Sequence, residues 1–130
     1  MYRPTKLAVR LWAVSAVCAV AAATMWIASF SIFGQREPWD VPEPYAATLL
    51  VLGLAGGAFL PSRYSWLPGI AVWVGQTFGF LSLAISEPLF PPLMPFGLVF
   101  FLPLYSLLSL HAACVGSQIG AWFMRFMHAR

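Results

Sequence analysis

Charge is what this sequence has least of. Seven Lys and Arg and four Asp and Glu make up 8% of its 130 residues, while 61% are hydrophobic. Soluble domains carry about a quarter of their residues as charged groups. So few charges cannot cover the surface of a water-soluble fold this size, so a bilayer must act as solvent for most of it. The net charge of +3 does not reverse this reading, because the basic residues never cluster as a nucleic-acid-binding surface requires. Carboxylates are missing from every long apolar stretch, which removes the titratable anion that proton- or cation-coupled transporters use. No Ser/His/Asp set, glycine-rich phosphate loop, HExxH motif or paired carboxylate occurs, so no enzymatic activity is expected. Only two cysteines are present, Cys18 and Cys114, far from any CxxC spacing. They read as small buried side chains, and no bare metal site is expected.

What the sequence does have is long apolar runs. Four are marked out at about residues 7–33, 45–60, 67–85 and 96–126. A helix needs roughly 20 residues to cross a hydrocarbon core of about 30 Å. The expected fold is therefore an all-α integral membrane protein, a single four-transmembrane-helix bundle with short loops. Its second helix is short, and its long fourth helix is expected to kink at Pro103. The first run begins with basic residues like a signal peptide, but it is about twice the usual signal core and is read as a retained span.

Charge placement suggests the orientation. Arg3, Lys6 and Arg10 open the first span, Arg63 lies between the second and third, and Arg125 and Arg130 follow the fourth. Glu37, Asp40, Glu43 and Glu87 lie in the other two loops, with Arg36 as the one basic exception. The positive-inside rule then places both termini in the cytoplasm, and the expected location is a bacterial inner membrane. Trp12, Trp66 and Trp122 fall near the proposed inner interface and Trp39 in the first outer loop, where indoles favour the headgroup layer. Trp26 and Trp73 lie deeper and are expected to pack between helices. Both outer loops are rich in proline and begin with Glu-Pro, at Glu37-Pro38 and Glu87-Pro88, a hint of a duplicated hairpin.

Within the spans, the polar candidates are Gln76, His111 and Gln118. Gln76 and His111 are each near the middle of a span, so an interhelical bond between them is expected. Small residues make a second pattern, with GxxxG pairs at Gly53/Gly57, Gly75/Gly79 and Gly116/Gly120. Missing side chains let helix backbones approach closely in lipid, within one chain or between chains. On the fourth span His111, Cys114 and Gln118 share one face, while Ser109, Ala112, Ala113, Gly116 and Gly120 share the opposite one.

These features point to an accessory or structural subunit of a larger membrane assembly. Its partners would be other integral membrane subunits or further copies of itself, with bound lipid and no nucleic acid. One alternative is a small homo-oligomeric channel or transporter lined by Gln76, His111 and Gln118. Another is a haem- or chlorophyll-type pigment subunit ligated through His111. No cofactor is required by the leading reading.

Overall fold

The computed structural model describes residues 5–86 and 96–129, and these form helices joined by turns, with no strand among them. Arg3, Arg130 and the second outer loop with Glu87 lie outside the described residues. Helix α1 runs Lys6–Ile27, the short α2 Ser29–Phe33, α3 Pro42–Ala58, α4 Leu67–Ser86 and α5 Leu102–His128. Three helical segments are long and apolar enough to cross a membrane: Lys6–Ile27, Ser62–Ser86 and Gly97–His128. Helix α3 is the shortest of the long helices at 17 residues. At 1.5 Å per residue that is about 26 Å, just under the hydrocarbon thickness.

Local chemistry sets the ends of these helices. Thr5 caps α1 by accepting a hydrogen bond from the Ala8 N–H at 3.2 Å. The expected single run through Phe33 is interrupted at Ala28, which leaves helical geometry with ψ near 19°. The turn sends Ser29 inward, where its hydroxyl donates to the Gln35 carbonyl at 2.8 Å. Gly34 then ends α2 at φ 74°, a left-handed conformation that favours glycine. Pro42 opens α3, where a missing N–H costs nothing, and Glu43 suits the positive end of the helix dipole.

Pro103 does not kink the middle of a helix. A π-helical turn, Gly97–Phe101, precedes α5, and the Leu102 N–H donates to the Gly97 carbonyl five residues back. The proline ring would collide with a carbonyl four residues upstream, and the wider turn moves that carbonyl away. The irregularity therefore falls at the entrance to α5.

Helices α1, α3, α4 and α5 lie side by side in two intimate pairs, α1 with α4 and α3 with α5. Within each pair the chains run in the same direction. Gly75 meets Ala19 and Gly79 meets Ala23, while Gly53 meets Ser109 and Gly57 meets Ala113. Neighbours in sequence run antiparallel: Trp26 faces Tyr45, and Cys18 faces Leu52. Lys6, Arg63 and Arg125 consequently gather at one end, and Glu37, Asp40 and Glu43 at the other. Large apolar side chains cover the outside, among them Trp12, Phe30, Phe78, Ile85, Trp122 and Met127. Such a surface suits lipid and not water.

Candidate functional site

A single polar junction occupies the place where the two helix pairs meet. Its centre is Gln76 on α4, which is fully buried. The side-chain carbonyl of Gln76 accepts from the Tyr45 hydroxyl on α3 and from the Trp26 indole N–H on α1, the latter at 3.5 Å. Its amide N–H donates at 2.8 Å to Ser106 on α5, whose hydroxyl in turn donates to the Leu102 carbonyl at 2.7 Å. All four long helices thus contribute one side chain each. Among the described residues no buried side-chain polar atom is left without a partner. A buried amide with every bond made specifies one arrangement of helices, because a shift in register would orphan several groups together.

An aromatic layer closes the acidic end of this junction. Trp39 comes from the first outer loop, and its ring meets Trp26 edge-on with centroids 4.8 Å apart. Phe80 and Phe101 flank it at 5.6 and 5.7 Å. Glu37 accepts from the Trp39 indole N–H and so holds the ring in place. The Trp39 ring folds back over the helix ends because Trp26, Phe80 and the bare Cα of Gly97 leave it a slot; a Cβ at Gly97 would lie 2.7 Å from the ring.

The expected bond between Gln76 and His111 is not made. Ser106, not His111, is the α5 residue that reaches Gln76. Five residues separate the two α5 positions, which at about 100° per residue turns them some 140° apart around the helix. His111 is exposed on the outside, and its Nδ1 lies 2.7 Å from the Leu107 carbonyl. Gln118 is exposed on the same side of α5, while Cys114 lies 3.6 Å from the Ser65 hydroxyl. The three candidates therefore do not line a common path. Two are outward, and Gln76 is sealed inside.

The six glycines all face into the chain. A Cβ at Gly53 or Gly57 would run into the backbone of Ser109 or Ala113 on α5. One at Gly116 or Gly120 would strike Leu54 or Ala58 on α3, and one at Gly75 would strike Ala19 on α1. At Gly79 it would lie 2.6 Å from the Trp26 Cβ. Close approach also lets the Ser109 hydroxyl donate to the Leu49 carbonyl at 2.6 Å, sealing the α3–α5 pair with an interhelical bond.

The outside carries two apolar grooves of note. One, of about 420 Å³, runs between α1 and α4 along Trp12, Ser15, Ala16, Ile70, Ala71 and Val74. Another, of about 360 Å³, runs between α3 and α5 along Leu50, Val51, Leu54, His111 and Val115.

The sequence reading missed Trp26, Tyr45 and Ser106 as partners of Gln76. A signal was present for Ser106, since Gln76 and Ser106 are nearly equidistant from the centre of the 86–95 connection and so fall level across their hairpin; Trp26 and Tyr45 are not so placed about the first loop. Depth read from span midpoints places His111 wrongly, because α5 is much longer than α4.

Comparison with protein-family models, with curated proteins and with solved structures finds no match to this chain.

Proposed function

We propose that this chain is a non-catalytic accessory subunit of a larger membrane assembly, crossing the bilayer four times with both termini in the cytoplasm of a bacterial cell. The observation that carries this reading is the closed interior. The space where the helices meet is occupied by Gln76 and its three partners, with Trp39 above them, and among the described residues no buried side-chain polar atom there is unpaired. Such a core supports holding a shape over passing a solute. Lys6, Arg63 and Arg125 at one end and the three acidic residues at the other support the inward orientation of the termini. Counting α3 as a crossing rests on its bond to the core and on the thinning that bilayers allow around short helices.

The glycine motifs support a self-contained chain, since their small faces are consumed by α1–α4 and α3–α5 packing. Partner contact then falls to the outer surface. The α1–α4 groove offers small side chains at Ser15, Ala16 and Ala71 between the walls of Trp12 and Val74, a shape that accepts a ridge of a neighbouring helix.

Purification of the full chain from its native membrane in mild detergent tests this. A stoichiometric partner chain is expected, and it should be lost on Ala16→Phe while the monomer stays folded. A monodisperse, partner-free wild type counts against the reading. Reporter fusions to each terminus should both read cytoplasmic.

A further inference from the structure

Helix α5 outruns the rest of the bundle. With the π-turn before it, it makes a continuous segment of 32 residues, Gly97–His128, or about 48 Å. Helix α4 has 20 residues, or about 30 Å, which matches one hydrocarbon core. Gly69 lies against Leu110 and Ser65 against Cys114, so the inner end of α4 is level with the middle of α5. Gly120 then meets Ala58, the last residue of α3. Beyond it every residue from Trp122 to Ala129 is exposed. Met127 stands about 20 Å past the level of Cys114 along the helix, well beyond a headgroup layer of about 5–7 Å.

A helix that leaves a membrane should turn polar, and this one does not. Trp122, Phe123, Met124 and Met127 are each more than half exposed. Sinking the bundle until lipid covers them would draw Lys6, Arg10 and Arg63 into the hydrocarbon, which resists charge. The spacing of the apolar residues says what covers them instead. Val115, Ile119, Trp122 and Phe126 recur at intervals of four, three and four, as in a coiled-coil seam. Their exposures are 52%, 51%, 66% and 48%, and the rings of Trp122 and Phe126 stack 5.9 Å apart. At about 100° per residue the four span some 60°, with Arg125 and His128 turned about 90° and 150° from their centre.

We propose that this seam pairs with the same seam of a second copy of the chain, as a short parallel two-helix coil standing on the inner side of the membrane. A second copy crosses the bilayer in the same direction, so its seam arrives parallel and at the same height. The apolar stripes then meet without setting Arg125 or His128 against its own counterpart. Fewer than two heptads would not hold two free helices together. Anchoring both in one bilayer raises their effective concentration and makes so short a seam sufficient. The proposal rests on the four-crossing reading. It uses none of the α1–α4 groove, so self-pairing and partner docking can fail separately.

The experiment is disulfide cross-linking of the full chain in its native membrane, with copper phenanthroline as oxidant. Wild type, with Cys18 buried and Cys114 half-buried, sets the background. Ile119→Cys should give a covalent dimer at least about fivefold above Met124→Cys, which points to the opposite side of α5. Adding Trp122→Glu to Ile119→Cys should lower the cross-link by at least about fivefold, while adding Met124→Glu should leave it unchanged. Helix content should be unaltered in each variant, since the tip lies outside the bundle. Equal cross-linking at Ile119→Cys and Met124→Cys overturns the proposal, as does a cross-link that Trp122→Glu leaves undiminished. A cross-link to a different chain overturns it too and assigns the seam to a partner subunit. No cross-link at either position also overturns it; quenching by brominated lipid that falls in Trp122→Phe would then assign the tip to the membrane surface.

Discussion

Both faces of α5 carry polar side chains, and they treat them in opposite ways. On the inner face Ser106 and Ser109 each bond across to another helix or receive a bond from one, and the small residues Ala113 and Gly116 let α3 come close. On the outer face His111 bonds within its own helix, to the Leu107 carbonyl, and Gln118 is turned outward. The contrast separates residues that build this fold from residues that its packing leaves on the surface. The inner face is finished, so its changes should act on folding. The outer face is unfinished, so its changes should act on binding.

The sharpest way to break that contrast is to crowd the inner face. Gly57→Leu places a branched side chain against the backbone of Ala113, which cannot yield as a flexible side chain would. Destabilisation of about 3 kcal/mol or more is expected, read as loss of the folded form in detergent unfolding. A smaller loss, about 2 kcal/mol, is expected from Gln76→Leu, which orphans the Tyr45 hydroxyl and the Trp26 indole N–H. The cycle with Tyr45→Phe should be clearly non-additive, since the second change removes one of the orphans. Additive losses would mean that the junction is not a single unit.

Trp39→Ala sharpens the picture at the acidic end. Trp39 is only half-buried, yet it meets three aromatic rings, so a cost of about 1–2 kcal/mol is expected. Indole fluorescence should also change, as Trp26 gains access to water. Least affected should be stability in His111→Leu, within about 0.5 kcal/mol of wild type in the same unfolding assay. A large destabilisation there would mean that the outer face helps to build the fold after all.

Much of the architecture could be read from residues in order. The apolar runs mark α1, α3, α4 and α5 to within a few residues, except that α1 stops at Ile27 and α2 begins anew. The two faces of α5 were legible but not which of them turns inward: Ser109, Ala112, Ala113 and Gly116 share a face and all are buried, whereas His111 on the other face was the residue expected to meet Gln76. The polar junction was half legible. Gln76 stood out as a deep amide, but its partners did not, because indole and phenol groups at Trp26 and Tyr45 look like ordinary membrane aromatics. Trp39 was hidden for a different reason. A loop residue's destination depends on a slot made by Trp26, Phe80 and Gly97, which come from three separate parts of the chain.

The solvent and the helical character of this protein follow from the sequence by itself, because apolarity and run length are local quantities that add along the chain. The partner of each helix face does not follow from it. A GxxxG pair or a mid-span histidine reads the same whether it faces a neighbour in its own chain, another protein or lipid. Rotation and register decide between these, and they are properties of helices packed together. Tertiary structure turned every glycine pair and Gln76 inward and left His111 outside, because Ser106 and His111 lie on different sides of one helix and only one side could meet α4.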